Sequence, residues 1–269
     1  MRLSISGVLT DHLNRILLLT QPDSGLLLPP SISLRPGYLP EALLAGFVRE
    51  QTGLIILPVR LTGLSFGRRR EADRLTFVYR CLMRGGTLAE EARPTSGFFD
   101  AQPLPGPMLA RDRRMVDRAL HHAGGPAAWD TEPRDIVSVA RTWLAGGGLE
   151  PAGEVWTAEV RVVLRDAQGQ VLTRPADQTP AGQLAGTVRP QEAPWQAAAR
   201  LLAPFGVRSA AGLPEVIIDR ESPRIAFLFS AVAPAGATIP AGYSFNAPAA
   251  SPEDPALTVF RLSDGPLAA

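Results

Sequence analysis

Residues Val8-Leu9-Thr10-Asp11 through Arg15-Ile16-Leu17 are matched by Val163-Leu164-Arg165-Asp166 through Gln170-Val171-Leu172. Each stretch is an apolar run, a polar turn and a second apolar run, the pattern of a strand–turn–strand unit. Farther along, Arg74-Leu75-Thr76-Phe77-Val78-Tyr79 is matched by Arg224-Ile225-Ala226-Phe227-Leu228-Phe229, again rich in strand formers. The order is kept and the offset is nearly constant, so one supersecondary unit written twice is expected. Two sheets, one in each half, follow from that pattern.

Between these strands each half carries a helix-like segment. In the first half it runs from Pro40 to Gln51 and closes with Thr52-Gly53-Leu54. Leu43, Leu44 and Val48 form its core face, and residues 46, 47, 50 and 51 share the opposite face at helical spacing. In the second half Gly186 to Trp195 leads into Gln196 to Arg200-Leu201-Leu202. Pro204 predicts that this helix ends early, because proline has no N–H to give and clashes with the preceding turn.

These segments resemble the Nudix box, G-x5-E-x7-R-E-U-x-E-E-x-G-U with U apolar. The pattern lies on residues 32–54 without a gap. Gly37, Pro40, Val48 and Thr52-Gly53-Leu54 keep its scaffold, while its first Gly falls on Ile32 and its first Glu on Tyr38. The Arg-Glu pair falls on Gly46-Phe47, and of the Glu-Glu pair only Glu50 remains, followed by Gln51. The second box keeps Gly186, Glu192 and Arg200 at the family's G-x5-E-x7-R spacing, but Leu201 follows, and then Ala203-Pro204-Phe205.

The resemblance implies carboxylates that hold Mg²⁺ or Mn²⁺ against a diphosphate. Mg²⁺ demands near-octahedral oxygen coordination, and one carboxylate beside a phenylalanine is a poor donor set. Glu50 is therefore read as a solvated helix glutamate, with a residual metal ligand as the alternative. Phe47 is expected to fill the altered cleft rather than join the main core. Gly46, Phe47, Glu50, Gln51, Glu192 and Arg200 together outline that vestigial cleft, with no confident catalytic residue among them.

The expected fold class is α/β of the α+β type, as two tandem Nudix-like α/β/α sandwich domains with mixed sheets. Residues 1–124 form the first, 125–153 a helical linker, and 154–269 the second, more degenerate domain. The first half closes with Gly97-Phe98-Phe99-Asp100, Leu104-Pro105 and a helix near 109–122, while the second stops after a strand at 257–262. In the linker, Pro133 to Leu144 reads as a short amphipathic helix ended by Gly146-Gly147-Gly148. Pro240–Pro255 reads as a long loop able to cover the cleft.

Charge excludes a general pull toward nucleic acid or anionic membrane, since 27 basic residues face 26 acidic ones and the net charge is +1. All the basic residues are arginine. Arg68-Arg69-Arg70 is the densest basic cluster, read either as a solvated loop balanced by Glu71 and Asp73 or as a ligand-phosphate site. The lone Cys81 excludes an intrachain disulfide and a cysteine zinc cluster. No apolar run reaches the length of a membrane span, and Asp11, His12 and Arg15 interrupt the start too early for a signal peptide, so a cytoplasmic protein is expected.

The functional expectation is a non-catalytic Nudix-like protein that binds a nucleotide-like ligand or a protein partner, with no cofactor. The alternative is a divergent Nudix hydrolase acting on a nucleoside diphosphate-linked substrate with Mg²⁺ at a non-standard site, drawing on Glu50 and on Glu71, Glu90 or Glu91. A third reading is a dimerisation module without a small ligand.

Overall fold

The computed structural model describes residues 1–269 apart from 23, 70, 90–95, 126, 133–152, 174–182, 209, 211, 220, 238, 247–256 and 262–269. It divides into two compact units, Arg2–Val155 and Trp156–Ser263. The first contains β1 (Arg2–Thr10), β2 (Arg15–Thr20), β3 (Leu27–Leu28), β4 (Ser31–Ser33), α1 (Pro40–Thr52), β5 (Ile55–Gly67), β6 (Arg74–Gly85), β7 (Ser96–Asp100), α2 (Ala110–Leu120) and β8 (Ala128–Thr131). Its mixed sheet runs β3-β2-β1-β6-β5-β8, with β4 also on β1 and β7 also on β2. β1 and β6 are parallel from Arg2↔Arg74 to Thr10↔Leu82, and β5 returns antiparallel on β6.

Both faces of this sheet are covered. Val8, Ile16, Leu18 and Val78 pack with Val116 and Ala119 of α2. On the other face Leu44 of α1 sits over Gly7, where a Cβ would come within 3.3 Å of both Leu44 Cδ2 and Cys81 Sγ. Gly7 thus lets α1 close on the sheet, and the Tyr79 hydroxyl fixes it further by donating to Glu41 Oε1 at 2.8 Å. Burial and the neighbouring Glu41 carboxylate push the Tyr79 hydroxyl well above its usual range, so it stays protonated and donating. Burial likewise pushes the Cys81 thiol up to about 12, which makes it a small inert core group.

α1 starts at Pro40 and ends at Gly53, whose φ of 77° allows its N–H to reach the Arg49 carbonyl. Its buried residues are Pro40, Leu44, Val48 and Thr52, whereas Leu43 is only half-buried. Gly46 is exposed, and a Cβ there would meet nothing within 4 Å. Gly46→Ala is therefore expected to stabilise the first unit by about 0.5–1 kcal/mol, because glycine carries extra unfolded-state entropy without any packing reason here. Urea denaturation should show a raised midpoint; an unchanged or lowered one would mean that the helix needs a glycine at this point.

The second unit contains β9 (Thr157–Arg165), β10 (Val171–Thr173), β11 (Leu184–Thr187), α3 (Pro194–Leu202), β12 (Gly212–Asp219), β13 (Arg224–Val232), β14 (Ser244–Asn246) and β15 (Leu257–Arg261). Its mixed sheet runs β14-β10-β9-β13-β12-β15, with β11 on β9, and β9 is parallel to β13 as β1 is to β6. Even the hairpin turns agree. Asp11 Oδ1 accepts the N–H groups of Leu13 and Arg15, and Asp166 Oδ1 accepts those of Gln168 and Gln170. Asn14 and Gly169 stand at the same place in each turn with φ of 59° and 79°, a left-handed position that suits Asn and Gly.

The two units also differ. β9 alternates, with Ala158, Val160, Val162 and Leu164 buried between less buried residues, whereas Ser6 to Leu9 of β1 are buried without a break. A continuous buried run marks a strand covered on both faces, and alternation marks one covered mainly on a single face. Helix α3 ends at Leu202, and Ala203–Phe205 tightens into a 3₁₀ turn closed by Gly206, as Pro204 requires.

Residues 128–131, placed in the helical linker by the sequence reading, instead form β8, parallel to β5. The strand draws its stability from that pairing, since four residues with a single half-buried tryptophan carry no alternation of their own. The expected helix at 133–144 and Gly146–Gly148 lie outside the described residues, as does most of the second half of the 240–255 loop.

Candidate functional site

The face of α1 opposite the core carries Gly46 and Glu50 in solvent and Phe47 and Gln51 half-buried. The helix does bring these four together, as its periodicity demands. Chemically the face offers one charged oxygen donor group, one amide and an aromatic ring, which does not fit a Mg²⁺ ion bridging a diphosphate. Among the described residues no three His, Cys, Asp or Glu side chains gather so that they could hold a metal ion. Glu90 and Glu91 lie outside the described residues, and Glu71 is exposed and pairs with Arg2 at 3.3 Å.

Glu192 and Arg200 bind each other. Arg200 donates from Nε to Glu192 Oε1 at 2.8 Å and from NH2 to Oε2 at 3.0 Å, a two-pronged ion pair. The same NH2 reaches the Thr187 carbonyl at 3.0 Å, and Glu192 also accepts the Arg189 N–H at 2.9 Å. The pair therefore ties the end of β11 and the loop after it to α3. At the equivalent places in the first unit stand Tyr38, 55% exposed, and the exposed Gly46, and no such tie forms.

The Arg200 hydrogen bond is the main reason the Glu192 carboxyl lies below its ordinary range; burial works against it, and Arg189 adds to the lowering. A folded-state pKa below the unfolded value of about 4.3 stabilises the fold above that value and ceases to do so as pH falls through the folded pKa. Glu192→Gln is expected to cost about 1 kcal/mol at neutral pH, the upper end for a partly exposed pair. The loss should shrink in acid, until variant and wild type have equal denaturation midpoints. A loss independent of pH would assign the effect to shape rather than charge.

Of the arginine cluster, Arg69 donates to Glu132 Oε2 at 2.8 Å and to the Arg68 carbonyl at 3.0 Å. Arg68 is half-exposed, and Arg70 lies outside the described residues. Glu132 follows β8 and is nine-tenths buried, with Arg74 at 3.5 Å on its other oxygen. Burial pushes its carboxyl up, but Arg74, Arg69 and Arg111 outweigh burial and hold it below the usual carboxylate range. Arg69 thus has an internal partner with which a phosphate must compete.

A cleft of the first unit lies away from this face of α1. β1 is paired with β2 only where Thr10 meets Ile16, and with β4 at Ser4–Ser6, so the two neighbours diverge and the sheet splits. The opening, about 210 Å³, is overlain by Arg111, Asp112 and Met115 of α2. Arg2 and Arg74, adjacent across the parallel pair, line it together with Arg111. Ser4, Thr76 and Ser33 lie side by side on neighbouring strands, and the Ser4 and Thr76 hydroxyls are 2.8 Å apart. Leu19, Leu28, Pro29 and Ile32 give apolar walls. Ile32 and Ser33 belong to the segment that leads into α1, but none of Gly46, Phe47, Glu50 or Gln51 lines this cleft.

Sequence reading missed Arg2 and Arg74. Each begins a strand, and only the parallel pairing across the sheet makes them neighbours; nothing local signals it. Arg111 and Met115 stand at i and i+4 on α2, which puts both on the face that covers the cleft.

No protein-family model matches the chain, and no curated protein matches it. Among solved structures it is similar to an ADP-ribose pyrophosphatase from Streptococcus suis 89-1591, at 19% identity and a TM-score of 0.40, over 48% of this chain and 98% of that one. A MutT protein from Bacillus halodurans is similar at 17% identity and a TM-score of 0.43, over 49% of this chain and 88% of that one. The Nudix domain of Shewanella oneidensis NrtR, solved with ADP ribose, is similar at 18% identity and a TM-score of 0.37, over 44% of this chain and 85% of that one.

Proposed function

We propose that the chain carries two Nudix-like units in tandem and that the first binds a nucleotide-like ligand without hydrolysing it. The tandem reading is supported by the repeated sequence segments, the two sheets with the same central parallel pair, and the shared Asp-centred hairpin turns. The loss of hydrolysis is supported by residues 46, 47 and 51, where Gly, Phe and Gln replace three of the groups that the box resemblance calls for.

The observation that carries the binding reading is the cleft over β1, which gathers Arg2, Arg74 and Arg111 beside the residues leading into α1. Guanidinium groups match phosphate oxygens in a planar, two-pronged way, and they need no metal to do so. Thermal unfolding with AMP or ADP in EDTA tests it, since a ligand that binds the native state raises the apparent melting temperature. A concentration-dependent rise that is the same with Mg²⁺ present is the expected result. No rise with either nucleotide at millimolar concentration would leave the protein-scaffold reading in its place.

A further inference from the structure

We infer that the cleft over β1 recognises the phosphorylated sugar of its ligand and not the base. This rests on the reading that a nucleotide-like molecule enters the cleft, and it narrows which part of that molecule is held. Three arginines from three different elements line the cleft: Arg2 from β1, Arg74 from β6, the two paired across the strands, and Arg111 from α2. Their side chains are 29%, 16% and 18% exposed, so each is accessible but largely withdrawn from water. Each faces a carboxylate, Glu71 at 3.3 Å from Arg2, Glu132 at 3.5 Å from Arg74 and Asp112 at 3.6 Å from Arg111, so a phosphate entering there competes with these ion pairs for guanidinium N–H groups.

One step along the same face of the sheet comes the hydroxyl row. Thr76 pairs with Ser4 across the parallel strands, and Ser4 pairs with Ser33 on its other side. Residues i and i+2 of a strand lie about 6.7 Å apart, roughly the reach of a pentose from its 5-phosphate. A hydroxyl both donates and accepts, so the row retains hydrogen-bonding capacity beyond the Ser4–Thr76 contact. The carboxylate of Asp112, itself 7% exposed, lines the same space from α2 beside Arg111, 3.6 Å away, and a carboxylate oxygen is an acceptor for a sugar hydroxyl.

What the cleft does not offer matters equally. Among the described lining residues there is no Phe, Tyr, Trp or His, and the apolar walls are leucine, proline, isoleucine and methionine. No aromatic ring there stacks on a purine or pyrimidine, and the guanidinium planes that can stack are the groups a phosphate engages; aromatic stacking is the main sequence-tolerant way in which proteins hold a base. The chemistry therefore favours a pentose phosphate, free or as part of a nucleotide, with the base projecting out.

Isothermal titration of the full chain with ribose 5-phosphate, AMP, adenosine and inorganic phosphate separates the possibilities. Ribose 5-phosphate and AMP are expected to bind within about threefold of each other, with adenosine and inorganic phosphate each at least tenfold weaker. Arg2→Gln should weaken ribose 5-phosphate several-fold without unfolding the chain, because the ion pair it removes is with the exposed Glu71. Ser33→Ala should bring ribose 5-phosphate toward the affinity of inorganic phosphate. Tight binding of AMP and adenosine with none of ribose 5-phosphate would overturn the inference while leaving nucleotide binding intact. Equal affinity for inorganic phosphate and ribose 5-phosphate would reduce the cleft to an anion site and overturn it as well. If none of the four binds, the nucleotide reading falls together with it.

Discussion

Replacing Gly86 by alanine is expected to destabilise the first unit by about 3 kcal/mol or more. Gly86 follows β6 with φ of +83°, and a Cβ there would stand 2.3 Å from the Gly53 carbonyl oxygen and 2.9 Å from Leu54 Cα. Both obstacles are backbone, so no side chain can swing away. A left-handed non-glycine residue costs roughly 1–2 kcal/mol, and forcing packed atoms apart costs roughly 1–3 more. Gly53 faces the same contact from the other side, with φ of +77° and a Cβ position 2.7 Å from the Thr87 carbonyl. The end of α1 and the end of β6 therefore meet through two glycines. Urea denaturation followed by circular dichroism measures the effect, and a loss below about 1 kcal/mol would show that this junction can relax.

The other large effect is expected in the second unit. Phe227 is fully buried on β13, paired with Val160 on one side and Val216 on the other, both also buried. Truncating a buried phenylalanine costs roughly 3–5 kcal/mol, as the lost transfer energy adds to that of the cavity left behind. Phe227→Ala should lower the unfolding transition of the second unit, followed by circular dichroism in urea. A loss under about 1.5 kcal/mol would mean that the neighbouring strands collapse into the space.

The strand–turn–strand pairs, the helix after Pro40 and the early end of α3 were legible because each rests on local chemistry. Pro40 starts a helix, Gly53 stops one, and Pro204 forbids another turn. The Asp-centred turns at Asp11 and Asp166 were visible for the same reason. What stayed hidden depends on long-range pairing. β8 has four residues and no alternation, so its place beside β5 comes from the sheet and not from its own sequence. Missing it also hid Glu132, the buried partner that engages Arg69, and so the arginine loop looked more available than it is. Arg2 and Arg74 lie far apart in the sequence of the first unit and become neighbours only through the parallel register. The spacing of Glu192 and Arg200 was evident in the sequence, but that they close on each other needed the geometry.

A single assay bears directly on the proposal that binding has outlived hydrolysis. Nucleoside diphosphate-linked compounds, ADP-ribose among them, would be incubated with the protein and millimolar Mg²⁺ or Mn²⁺, and the products resolved by anion-exchange chromatography. The expected result is no nucleoside monophosphate above the level given by Glu50→Gln. Metal-dependent cleavage by the wild-type chain that Glu50→Gln abolishes would contradict it, because the one carboxylate left on the outer face of α1 would then be working as a metal ligand.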